Sequence, residues 1–297
     1  MTHDISKFKG VGVALVTPFL ANHDIDFNGL RALVRLQIEG GTDFLVVQGT
    51  TGESPVLSED EKDEILKTVI DENAGRLPVV YGIGGNNTKL IADKLAKISA
   101  NNPGVDGILS VSPYYNKPTQ EGIYQHFKAL SDATTIPIIL YNVPGRTGSN
   151  VLVETTLRCA TLANIVAVKE ASGSIEQIMQ IIQRAPKDFL VLSGDDGITL
   201  PLIAAGAHGV ISVIGNALPE KFSKMVHAAM IGDFETARPL HYALSDMVRM
   251  LFAEGNPGGV KEVLVVRGVM ENHMRLPLVN VSETLKKQIV AETIALL

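Results

Sequence analysis

The chain has 297 residues, 45% hydrophobic and 20% charged, with a formal net charge of −6 from 26 basic and 32 acidic residues. Nothing in that balance suggests the basic face nucleic acid requires, and apolar runs such as 11–16 and 136–140 are far too short to cross a membrane. One cysteine, Cys159, leaves no intrachain disulfide, and the seven histidines show neither HxH nor HExxH spacing, so the residues call for no metal and no cofactor. The opening MTHDISKFKG has no apolar segment of the signal-peptide kind, which reads as a cytoplasmic protein.

Eight short apolar runs follow one another. They are GVGVALVTPF (10–19), FLVVQGTTG (44–52), PVVYGIGG (78–85), GILSVSPYY (107–115), PIILYNVP (137–144), IVAVKEAS (165–172), FLVLSGDD (189–196) and GVISVIGN (209–216). Near-continuous apolar character, without alternation, is what parallel strands covered on both faces require. Helical patterns fill the gaps. Ser58 and Glu61 form an S-x-x-E capping box that opens a helix, with Gly75 where it would stop. Asn87 and Thr88 open the next, which carries Leu90, Ile91, Leu95 and Ile98 at helical spacing. Segments 119–130, 151–163, 174–185 and 197–207 continue the alternation.

Eight strands alternating with helices predict an α/β fold, a (β/α)8 TIM barrel. An open doubly wound sheet is disfavoured because no GxGxxG follows the first strand. From about residue 218 the pattern is helical without strands, broken by a turn at NPGG. The expected organisation is therefore a catalytic barrel over 1–217, then a final barrel helix and a C-terminal helical extension over 218–297.

In such a barrel the carboxyl ends of the strands face the active site. Those ends supply Thr50, Thr51 and Glu53; Tyr114 and Tyr115; Tyr141, Asn142 and Arg146; Lys169 and Glu170; Asp195 and Asp196; Ser212 and Asn216. The lysine invites a question, because it closes a strand that is otherwise apolar. Desolvation disfavours an ammonium, and an amine at the mouth of an apolar barrel is suited to attack a carbonyl and form a Schiff base. The competing reading is a structural ion pair. Glu170 is not assumed to be the partner, because alternation along a strand sends it to the opposite side. Tyr141, on the adjacent strand end, can give and take a proton, and Thr50 can relay one through its hydroxyl. Arg146 offers a bidentate carboxylate grip, or a surface ion pair. Asp195 and Asp196 read as a structural turn before a helix.

At these residues the sequence resembles the dihydrodipicolinate synthase family of Schiff-base, aldolase-like barrels, over essentially the whole chain. The matching stretches are GTTGES (49–54), SPYYNKPTQEG (112–122), YNVPGRTG (141–148), VKEASG (168–173), SGDD (193–196) and GVISVIGN (209–216). The resemblance implies that Lys169 forms an imine with pyruvate and that Tyr141 moves protons, linked through Thr50 to Tyr115. It implies that Tyr115 comes from the neighbouring subunit of a tight dimer, two such dimers making a homotetramer. Thr51 would hold the pyruvate carboxylate, Arg146 would bind the carboxylate of L-aspartate 4-semialdehyde, and Gly194 and Ile211 would line the pocket through their backbones. The product would be 4-hydroxy-tetrahydrodipicolinate, on the way to diaminopimelate and lysine. One departure stands out. Lysine-inhibited members carry histidines just after GTTGES and an acid after the strand-three Asn, where this chain has Glu59, Lys62 and Leu90 while keeping Asn86 and Tyr114. Weak or absent feedback by lysine is expected.

Two other readings remain at this level. One is a related lyase cleaving a sialic acid or a 2-keto-3-deoxy sugar acid; Arg146 in the GRTG turn disfavours it, because a polyol needs hydroxyl partners there. The other is a barrel that has lost catalysis, against which the intact set Thr50, Tyr115, Tyr141, Arg146 and Lys169 argues.

Overall fold

A computed structural model describes residues 3–297. All eight apolar runs form strands: β1 Gly10–Ala14, β2 Phe44–Val47, β3 Val79–Gly82, β4 Gly107–Val111, β5 Ile138–Asn142, β6 Ile165–Glu170, β7 Leu190–Ser193 and β8 Gly209–Ser212. Each is parallel to its neighbours, and β8 pairs back to β1, so the sheet closes into a barrel. The closing register sets Gly10 opposite Gly209. Both have positive φ, and a Cβ on Gly209 would overlap the backbone of Gly10. Only glycine allows so close an approach at the seam.

The helices are α1 Phe27–Glu39, α2 Glu59–Asn73, α3 Thr88–Asn101, α4 Gln120–Asp132, the short turn α5 Pro144–Thr147, α6 Val153–Cys159, α7 Ile175–Arg184, α8 Thr199–Ala204, α9 Pro219–Met230, α10 Phe234–Phe252, α11 Gly258–Val266 and α12 Glu283–Leu296. The start of α2 is set by the capping box: Ser58 Oγ accepts from the Glu61 N–H at 3.2 Å, and a Glu61 carboxylate oxygen accepts from the Ser58 N–H at 2.8 Å. Its end differs by one residue from the sequence expectation. Ala74 takes the left-handed C-cap conformation at φ 49°, and Gly75 follows at φ 73°. Asn87 caps α3 through Leu90 N at 3.2 Å.

The core has two layers. The inner one fills the barrel with Phe8, Phe44, Val46, Val80, Leu109, Ile139 and their neighbours; Phe8 and Phe44 meet edge to face at 6.1 Å. The outer layer packs the other strand faces against the helices. This two-sided burial is why the strands read as continuous apolar runs. No helix among the described residues is long and apolar enough to cross a membrane.

At the amino end of the barrel, His227 on α9 donates from Nε2 to Asp43 Oδ2 at 2.7 Å, and the same oxygen accepts from Val11 N at 2.7 Å. That hydrogen bond raises the imidazole above its ordinary value, with burial acting the other way. A raised folded pKa stabilises fully below the unfolded value, about 6.5, and the gain disappears as pH climbs through the folded value. Melting temperature should therefore decline from about neutral pH upward by the equivalent of no more than about 1 kcal/mol, since the pair is half-exposed. In His227→Gln that component of the pH slope should vanish. Identical profiles for the two proteins would contradict it.

Candidate active site

The carboxyl end of the barrel opens into a cavity of about 690 Å³. Thr50, Thr51, Tyr141, Arg146, Lys169 and Gly194 line it, together with Asp195, Val213 and residues of the C-terminal extension. The β5–β6 register places Tyr141 directly beside Lys169. Lys169 is 6% exposed, and its Nζ stands 4.2 Å from the centre of the Tyr141 ring. Among the described residues no carboxylate pairs with this amine, so the ion-pair reading of Lys169 finds no support. Glu170 points elsewhere, as strand alternation requires. Its carboxylate accepts from Asn142 Nδ2 at 3.1 Å, Gln177 Nε2 at 3.0 Å and Ser172 N at 2.8 Å. Burial raises the Glu170 carboxyl above its usual range, and those donors oppose the shift.

Gly194 leaves room for the lysine. A Cβ there would lie 3.2 Å from Lys169 Cε and 2.7 Å from the Ala171 Cβ. The following acids are structural. Asp195 Oδ1 accepts from Gly197 N at 2.9 Å, and buried Asp196 accepts from Val213 N at 3.0 Å and Ile214 N at 2.8 Å, fixing the turn after β8.

Thr50 and Thr51 sit in a 3-10 turn, Thr50–Gly52, directly after β2. Thr50 is exposed to the cavity, whereas Thr51 is buried and its Oγ1 accepts from Asn256 Nδ2 at 3.0 Å. Arg146 lies exposed on α5 and has no ion-pair partner among the described residues. Its guanidinium is free to receive a carboxylate in the cavity.

Two of the sequence-derived residues lie apart from this group. Ile211, 1% exposed, belongs to the barrel interior, and Val213 is the β8-side residue that reaches the open cavity. Tyr115 is 87% exposed on the β4–α4 loop, with φ 73° and its N–H donating to Thr147 O at 3.4 Å, and it does not line the cavity of its own chain. Thr50 and Tyr141 share a wall without a direct hydrogen bond, so a Tyr141–Thr50–Tyr115 relay is not assembled within one chain.

The extension contributes what sequence reasoning missed. Val248, Arg249 and Phe252 from α10, with Ala253 and Asn256 after it, form one wall. The NPGG stretch signalled a turn, and nothing local indicated that its asparagine reaches Thr51. A second tie runs from α11. Lys261 Nζ donates to Glu53 Oε1 at 2.5 Å and to His273 O at 2.9 Å, with both side chains of the ion pair fully buried. Among the described residues no three His, Cys, Asp or Glu side chains gather to hold a metal.

A buried, unpaired lysine beside a strand-end tyrosine, with a guanidinium at the rim of a barrel cavity, is a constellation suited to amine-based enzyme chemistry on a carbonyl. Comparison with known proteins gives the family. The profile of the Dihydrodipicolinate synthetase family matches residues 7–295, and the chain belongs to that family. A curated relative from Parabacteroides distasonis, named 4-hydroxy-tetrahydrodipicolinate synthase, is 54% identical over 274 residues, covering 92% of each chain. The solved dihydrodipicolinate synthase of Thermotoga maritima superposes with a TM-score of 0.92 at 42% identity, covering 97% of this chain and 99% of that one. A solved monomeric dihydrodipicolinate synthase variant does so with a TM-score of 0.92 at 42% identity, covering 97% of each chain.

Proposed function

We propose that this chain is a lyase, a 4-hydroxy-tetrahydrodipicolinate synthase, condensing pyruvate with L-aspartate 4-semialdehyde in lysine and diaminopimelate biosynthesis. The observation that carries this reading is the unpaired, buried Lys169 amine against Tyr141, in a cavity whose rim holds the free guanidinium of Arg146.

The chemistry runs as follows. The Lys169 amine attacks C2 of pyruvate, and loss of water gives an iminium, an electron sink for the adjacent carbon. The Thr51 turn holds the pyruvate carboxylate. A proton leaves C3, moved by Tyr141, and the enamine attacks the aldehyde, whose own carboxylate Arg146 grips. The amine of the aldehyde substrate then adds to C2, closing the ring and releasing Lys169. Thr50 passes protons between Tyr141 and the partner subunit's Tyr115, so the enzyme works as a tight dimer, two dimers forming a tetramer in the cytoplasm. The exposure of Tyr115 on its own chain supports this assignment.

The test is a side-by-side assay. Aspartate semialdehyde with pyruvate should turn over, whereas N-acetylneuraminate and 2-keto-3-deoxy sugar acids should not be cleaved. Efficient cleavage of a sugar acid would shift the reading to the lyase alternative.

Lysine should inhibit weakly or not at all. Glu59, at the position implicated in feedback, already bridges Lys62 at 2.7 Å and Lys94 at 2.6 Å. Hydrogen bonds from Lys62 and then Lys94 hold its carboxyl down at about 2. A carboxylate so occupied has little attraction left for another ammonium, and Leu90, exposed on α3, supplies no charge. A lysine titration of initial rate checks this, and strong inhibition at low lysine concentration would refute it.

A further inference from the structure

The GTTGES stretch carries an unusual residue at its fifth position. Glu53 closes the Thr50–Gly52 turn and opens the next one, Ser54–Val56, in the left-handed region at φ 54°. Glycine suits that conformation, because a Cβ is disfavoured there. Glutamate has one property that glycine lacks, a carboxylate, and here that carboxylate is turned fully into the protein. It meets Lys261 of α11, 208 positions away in sequence. The other Glu53 oxygen faces Arg275 N at 3.5 Å, and the ammonium of Lys261 also stands 4.5 Å from the Phe19 ring centre. A second tie joins the same two segments, from Asn256 to the hydroxyl of Thr51. Between the ties, Gly52 O accepts from Thr17 Oγ1 at 2.6 Å. The turn carrying Thr50 and Thr51 is thus gripped by the C-terminal extension at Thr51 and at Glu53, and by the β1 loop between them.

A buried ion pair is a poor source of net stability, because desolvating both charges offsets their attraction and an apolar pair of similar volume does as well or better. What it adds is direction: two charged groups with satisfied hydrogen bonds accept few geometries. We propose that Glu53 and Lys261 are positioning residues for pyruvate, their ion pair holding the Thr50–Thr51 turn at the orientation that presents the substrate to Lys169. This rests on pyruvate being the substrate of Lys169. Neither side chain lines the cavity, so the effect passes through the turn. A reactant displaced by ~1 Å can lose on the order of 10²-fold in rate, so a small drift of this turn is sufficient.

The test is the double variant Glu53→Leu/Lys261→Met, which removes both charges and keeps the volume filled. It should melt close to the wild type. Its KM for pyruvate should rise about tenfold or more, and borohydride trapping of pyruvate should slow in step, with KM for aspartate semialdehyde little changed. A folded double variant with wild-type pyruvate KM and trapping would overturn the proposal. Should the double variant not fold, Glu53→Gln decides, since it keeps the shape and an acceptor for Lys261. A several-fold rise in pyruvate KM supports the proposal, and an unchanged value overturns it. Wild-type protein that traps no pyruvate would overturn the substrate reading itself, and this proposal with it.

Discussion

Lys169→Ala should fold normally and lose kcat by on the order of 10⁴-fold or more, with no pyruvate trapped by borohydride. Among the described residues Lys169 is the one lysine lining the cavity, so no second amine there can substitute. Folding should survive because the amine has no ion-pair partner to strand and its side chain borders open space. The expected combination is an unchanged thermal melt with steady-state turnover near background. Turnover within tenfold of wild type would mean that the amine is not the nucleophile.

Tyr141→Phe should cost roughly 10²–10⁴-fold in kcat, the usual range for a positioned acid–base group. It removes only the hydroxyl and keeps the ring against which Lys169 packs. The adduct should therefore still form, slowly, with pyruvate KM little altered, because the carboxylate grip lies on the Thr51 turn. Wild-type kcat in this variant would remove Tyr141 from the proton path. Loss of pyruvate binding with intact kcat would recast it as a wall of the pocket.

The parts of this enzyme legible in sequence are those with a local pattern. Every strand announced itself as a short, near-continuous apolar run, because each is buried on both faces. The strand-end rule then brought Thr50, Tyr141, Arg146 and Lys169 into one group, and the structure gathers those four around one cavity. The S-x-x-E box located the start of α2 because capping is a contact across three residues. What stayed hidden is long-range. The contacts of Asn256 with Thr51 and of Lys261 with Glu53 span 205 and 208 positions, and no periodicity encodes them. The helical extension therefore read as packing alone, although α10 and the segment after it complete the cavity wall. Ile211 against Val213 is a matter of depth along β8, which alternation alone does not fix. Tyr115 does not line the cavity of its own chain, so the role proposed for it calls on a second one.

Those long-range contacts also change the meaning of the extension. α11 is tied through Lys261 to the residue that ends the Thr50–Gly52 turn, and Arg275 bridges Glu61 at the start of α2, at 2.6 Å. The barrel and its C-terminal helices therefore share one site, and removing the extension should destroy the cavity as well as the packing.

Whether Lys169 is the nucleophile is decided by intact-mass analysis after incubation with pyruvate and borohydride, followed by peptide mapping. One reduced pyruvyl group per chain, located on Lys169, is expected. A folded enzyme that gains no mass, or carries the group on another lysine, would contradict it.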